Sequence, residues 1–236
     1  MGEPITGISS MAMRGVLAEL ADAYRRQSGE DVSVVSVGGV DAVRRVEAGE
    51  AFDFVVLAAD SIGRLASAGH VDPPSRVDLA RSAVAVAVAA GAQRPDIGSE
   101  LAVRDAVLAA RRVGYSTGPS GVHLARLLDR WGIADTMAPR TVQAPPGVPV
   151  GTLVARGDVD IGFQQLSELV HLPGVDVVGV LPPEIQAMTV FSAGVCTTSR
   201  QPDACRALLS FLASPAGDAA KRHHGMEPAS SSDART

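Results

Sequence analysis

The order of apolar segments predicts an α/β protein built on mostly parallel sheets. Three observations carry this. Short β-branched runs alternate with segments of helical period, beginning at Pro4. The links between them are only a few residues long, which suits strands joined by crossover helices. Each of the first three strand–helix junctions also carries small or polar residues, as a helix start requires.

Taken in order, Pro4 to Ile8 predicts a strand, and Ser9-Ser10 caps a helix running to about Gln27. In it Met13, Leu17, Leu20 and Tyr24 recur at helical spacing, while Glu19, Asp22, Arg25 and Arg26 face water. Gly29 closes that helix. VSVVSV (Val32 to Val37) is a second strand, and Gly38-Gly39 turns into a helix with Val40, Val43 and Val46 on one side. FDFVVLA (Phe52 to Ala58) is a third strand, with Asp60 as N-cap of a helix containing Ile62, Leu65 and Ala66. Arg81 to Ala90 is a longer β-prone run. Pro95 to Ala110 reads as helical and Val113 to Tyr115 as a strand. Ser120 to Trp131 is an amphipathic helix with Leu124, Leu127, Leu128 and Trp131 in one stripe. Thr141 to Ala144, Asp160 to Phe163 and Val175 to Leu181 are further strands, and Pro149 to Arg156 is a short helix. Ile185 to Cys196 is extended, Pro202 to Ala213 and Pro215 to His223 are closing helices, and residues 228–236 read as a disordered polar tail.

Composition narrows the function. A net charge of −5 argues against nucleic acid or an anionic membrane as partner, and 3% aromatic residues leave few platforms for stacked bases. The run SAVAVAVAA (Ser82 to Ala90) is too short to cross a bilayer, so no membrane insertion is expected. MGEPITGISS lacks the parts of a secretory signal, which predicts a cytoplasmic protein, or a periplasmic or extracellular one if a signal has been removed. Cys196 and Cys205 fit no metal or redox spacing and read as buried thiols. No P-loop, dinucleotide fingerprint or nucleophile elbow is present, and no metal or cofactor is expected.

What remains is a set of small-residue turns at strand ends: Ser9-Ser10, Gly38-Gly39, Ser116 to Gly121, and Val148 to Gly151. Hydroxyls and backbone N–H groups at helix starts suit a small oxyanion or carboxylate. Each turn taken singly also reads as ordinary capping. Arg14 could fork onto a carboxylate or lie on the surface. His123, in the first turn behind Ser120, is the candidate acid–base group, with Asp41 and Glu168 as alternatives. Gln164 and Gln165 offer uncharged amides, Arg44 and Arg81 are further charged candidates, and His223-His224 reads as a solvated pair.

The order ISSMAMRGVLAELADAYRRQSG, DVSVVSVGG, DAVRRVEAGEAFDFVVLA resembles the type 2 periplasmic binding proteins, in the molybdate-binding branch. The likeness continues through Arg81 to Val88 and the stretch Val154 to Gly162, and spans residues 5 to 225. It implies a two-lobed fold, each lobe a mostly parallel sheet flanked by helices, joined by two crossover strands, with a ligand clamped in the cleft. Lobe 1 would hold residues 1–80 plus 190–236 and lobe 2 residues 81–189. The family's ligand contacts would fall at Ser9, Ser10, Gly38, Gly39, Ser116, Thr117, Ser120, Gly121 and Val150, and the residues themselves add Arg14, Tyr115 and Gln164 as candidate ligand contacts. Two departures weigh against molybdate itself. Gly38-Gly39 stands where that branch carries a serine, and Phe163-Gln164-Gln165 where it carries a tyrosine. The resemblance implies either a cofactor-independent isomerase of small unsaturated polycarboxylates, of the aconitate isomerase kind, or a solute-binding protein that hands an oxyanion or carboxylate to an ABC permease.

Overall fold

The computed structural model describes residues 3–229, and the chain folds as two units, 1–82 with 189–236, and 83–188. The first unit opens with three strand–helix repeats: β1 (Ile5–Ser10), α1 (Arg14–Ser28), β2 (Val32–Val37), α2 (Gly39–Glu47), β3 (Phe54–Ala58) and α3 (Ala59–Ser67). β4 (Val77–Ala89) then carries the chain into the second unit. That unit holds α4 (Glu100–Ala109), β5 (Val113–Tyr115), α5 (Pro119–Arg130), α6 (Ala134–Met137), β6 (Thr141–Gln143), α7 (Val150–Ala155), β7 (Ile161–Gln165), α8 (Leu166–Leu169) and β8 (Val175–Val180). β9 (Met188–Val195) returns to the first unit, which ends in α9 (Pro202–Ala213), α10 (Asp218–His223) and β10 (Glu227–Pro228).

In the first unit β1 lies between β2 and β3, parallel to both, with Gly7 level with Val34 and Phe54. β9 runs antiparallel to β3, and β10 antiparallel to β4. Parallel pairing brings the carboxyl ends Ser10, Val37 and Ala58 to one edge, where open α/β sheets bind ligands. In the second unit β5 is parallel to β6 and β7, while β7 and β8 pair antiparallel with β4.

α1 and α5 bury the stripes their periodicity predicts. α1 turns Val16, Leu17, Leu20 and Tyr24 inward, and Leu17 and Leu20 are no more than 3% exposed. A fully buried side chain of this size contributes about 1.5–3 kcal/mol. Gly29 ends α1 at φ 78°, donating its N–H to the Arg25 carbonyl. On α5, Leu124, Leu127 and Leu128 are buried, and the half-buried Trp131 donates its indole N–H to Glu100 Oε1 at 2.8 Å.

Several boundaries differ from expectation. Ser9 and Ser10 stay in β1, and a 3-10 turn at Met11–Met13 precedes α1. α2 buries Ala42 and Val46, four residues apart on one face, but leaves Val40 70% exposed, because six residues of helix turn Val40 about 120° away from Val46. Ala58, not Asp60, is the N-cap of α3, and Asp60 sits in the first turn where its charge favours the helix dipole. α4 begins at Glu100, capped by Ser99 Oγ accepting the Ala102 N–H. Pro228 belongs to β10, and Ala229 N–H reaches the Leu79 carbonyl at 3.2 Å. The rest of the expected tail, 230–236, lies outside the described residues. Among the described residues, no helix is long and apolar enough to cross a membrane.

Candidate functional site

Each unit gathers part of the expected residue set at the carboxyl edge of its parallel strands. In the first unit, β1 and β2 place Ser9 level with Ser36, and their hydroxyls meet at 2.9 Å. Ser9 Oγ also donates to the Ser10 carbonyl at 3.2 Å, so Ser36 supplies the proton of the first contact. Ser36 escaped the sequence reading: it stands three residues after Ser33 in VSVVSV, on the opposite strand face, and only the parallel register with β1 brings it level with Ser9. Ser10 is 9% exposed, and its Oγ is buried without a hydrogen-bond partner. It occupies the N-cap position of the 3-10 turn with extended backbone, yet caps nothing. A buried hydroxyl left so costs about 1–3 kcal/mol. Arg14 opens α1, exposed and without an ion pair among the described residues. Gly38 and Gly39 form the start of α2, where the Gly38 carbonyl accepts the Ala42 N–H. Asp41 pairs with Arg44 on the same helix face.

In the second unit, Tyr115 at the end of β5 is level with Phe163 of β7. The chain therefore leaves both strands at one edge, through Ser116 and through Gln164-Gln165. The Ser116 and Ser120 hydroxyls meet at 3.0 Å, and Ser116 Oγ accepts the Gly118 N–H at 3.2 Å. This turn is tight enough to demand glycine at 121, since a Cβ there would stand 1.7 Å from the Ser116 carbonyl oxygen. Thr117 is half-buried with its hydroxyl uncommitted, and Tyr115 packs its ring against the α4–α5 core.

Val150, the first residue of α7, is fully buried between Gly114 and Gly162, so its side chain serves the core. Gln164 is 2% exposed and committed at both ends: its Oε1 accepts the Gly151 N–H at 3.3 Å, and its Nε2 donates to Glu168 Oε2 at 2.6 Å. Burial pushes the Glu168 carboxyl up to about 7, against the smaller lowering effect of that hydrogen bond. Beside it, Ser167 Oγ is buried without a partner. His123 lies on α5 with Nε2 2.7 Å from the Ile185 carbonyl, which makes Nε2–H the donor and leaves Nδ1 as the free position.

The structure thus joins Ser116, Thr117, Ser120 and Gly121 in one turn, and Gln164 with Glu168 and the Val150–Gly151 helix start. Ser9, Ser10, Gly38 and Gly39 cluster separately at the first unit's sheet edge. Uncharged donors and one acid poised near neutrality can hold an anion and move a proton. Cys196 and Cys205 are buried free thiols, both pushed upward by burial, to about 12 and about 11.

Comparison with known proteins identifies the fold and the family. The profile of the bacterial extracellular solute-binding proteins matches residues 5–227. An aconitate isomerase from Pseudomonas sp is 36% identical over 229 residues, covering 95% of this chain and 87% of that protein. The Azotobacter vinelandii periplasmic molybdate-binding protein superposes with a TM-score of 0.80 at 19% identity, covering 94% of this chain and 98% of the other. The sulfate-binding protein SubI from Mycobacterium tuberculosis gives 0.79 at 17% identity, covering 98% and 88%. At these identities the two structures show the fold, that of the type 2 periplasmic binding proteins. The chain belongs to the bacterial extracellular solute-binding protein family.

Proposed function

We propose that the chain binds a small di- or tricarboxylate and isomerises it by removing a proton and returning it elsewhere on the same molecule. The observation that carries this reading is Glu168, a half-buried residue whose carboxyl is brought to about 7 by desolvation and oriented by Gln164 at the carboxyl edge of β7. A base with that pKa ionises readily at neutral pH and gives its proton back with little penalty. The 36% identity with an aconitate isomerase supports the substrate class.

In this reading Glu168 takes a proton from an sp3 carbon beside the double bond. The C–H electrons form the new double bond, and the old one opens toward the distal carbon. The protonated Glu168 then delivers its proton there. No oxidation state changes. The substrate carboxylates are held by the hydroxyls of Ser116, Thr117 and Ser120, and Ser9, Ser10, Arg14 and the Gly38–Gly39 amides are donors of the same kind at the first unit's own sheet edge. Gln164 positions the base. His123 is the other titratable candidate, and its bond to the Ile185 carbonyl is what places Glu168 ahead of it.

A second reading keeps the binding and drops the chemistry: a solute-binding protein delivering an oxyanion or carboxylate to an ABC permease. The family match and the molybdate- and sulfate-binding neighbours favour it. Proton NMR of the purified protein with cis-aconitate, trans-aconitate and related acids separates the two. Isomer exchange supports the enzyme. No exchange, together with tight molybdate or tungstate binding by calorimetry, refutes it.

A further inference from the structure

The pair His223-His224 is not simply solvated. Glu19, on α1, accepts from both rings through the same oxygen: Oε2 is 3.0 Å from His223 Nδ1 and 3.0 Å from His224 Nε2. The three atoms lie within 4.8 Å of one another. Consecutive helix residues point about 100° apart. These two converge because His223 is the last residue of α10 and His224 leaves the helix at φ −89°, ψ 20°. The inner ring is also seated. His224 rests over Gly15 of α1, where a Cβ would stand 2.6 Å from its Nδ1. A glycine inside a helix weakens it, and at this position its absent side chain makes room for the imidazole.

We propose that Glu19, His223 and His224 form a binding site for one divalent transition-metal ion of the zinc, nickel and copper class. Two imidazole nitrogens and one carboxylate oxygen are a borderline donor set, which selects these ions over magnesium and calcium. The His224 side chain is 15% exposed, against 62% for His223 and 44% for Glu19, so one ligand is fixed and the opposite side is open to water. Water completes a four-coordinate shell. On binding, each neutral ring carries its proton on the other nitrogen, and the freed lone pairs of His223 Nδ1 and His224 Nε2 take the metal. The ion ties the end of α10 to α1, immediately before the chain enters β10. This site is independent of the isomerase reading, since none of its residues lies at the sheet edges.

The test uses the full chain, stripped with a chelator, dialysed and titrated with zinc chloride by calorimetry, with magnesium and calcium chloride as controls. The expected result is one zinc ion per chain, weakened at least ~10-fold in His223→Asn and in Glu19→Gln, with His171→Asn unchanged. Bound cobalt should give the ligand-field bands of a four-coordinate site, lost in His223→Asn. His223 and Glu19 are exposed, and circular dichroism of the metal-free variants confirms that they fold. Zinc uptake that is absent at millimolar metal, or undiminished in His223→Asn, overturns the proposal.

Discussion

Replacing Glu168 by Gln should stabilise the protein at neutral and alkaline pH. Burial raises this carboxyl from 4.5 to about 7. The folded state therefore favours the protonated form, and its stabilising effect is complete below the unfolded value near 4.5. That effect is lost as pH rises and is gone above about 7. At about 1.4 kcal/mol per pH unit, the loss is about 3 kcal/mol for the ionised carboxylate. Glutamine is nearly isosteric, stays neutral, and keeps an oxygen to accept the Gln164 Nε2–H that now reaches Oε2 at 2.6 Å. Urea unfolding of wild type and Glu168→Gln from pH 4 to 8 should show matching stabilities at the acid end. The variant should then lead by up to about 3 kcal/mol at pH 8. A gap that stays constant with pH, or a wild type that gains on the variant as pH rises, would show that Glu168 is not held as described.

Three other perturbations separate the turns from the scaffold. Ser10→Ala removes a buried hydroxyl that has no partner, so stability by urea unfolding should hold or rise by about 1 kcal/mol while ligand affinity by calorimetry falls. Gly121→Ala forces a Cβ against the Ser116 carbonyl, and should cost about 1–3 kcal/mol with loss of anion binding in the same titration. Asp53 accepts the Thr6 N–H and the side chains of Thr6, Ser199 and Gln201. Burial alone would raise it, but these bonds together bring it below 3.8. Its stabilisation is present above that value and lost as pH falls through the lower native one. Asp53→Asn should thus cost about 2 kcal/mol at pH 7, and the gap should narrow in acid-unfolding curves as pH falls below 3.8.

The three opening repeats were legible because short β-branched apolar runs alternate with helical segments across short links, and the buried faces of α1 and α5 follow the helical period. The Ser116 to Gly121 turn was legible for a local reason: its contacts are made within six residues. Elements of four residues, such as α6 and α8, are too short to show a period. The antiparallel return of β8 and β10 onto β4 depends on partners far along the chain. Gln164 was expected as a free donor, but its partners, Gly151 and Glu168, sit on separate elements that only β7 brings together. Glu168 was visible as a charge, while the burial that gives it a pKa near neutrality is a tertiary property. The meeting of Glu19 with His223 and His224 spans about 204 residues, and nothing local announces it.

The most direct test of the account is the rate at which trans-aconitate converts to its cis isomer, followed by proton NMR with wild type, Glu168→Gln and His123→Asn. The account predicts conversion by wild type, a loss of about 100-fold or more in Glu168→Gln with substrate binding retained, and a much smaller change in His123→Asn. Unimpaired conversion by Glu168→Gln would contradict it.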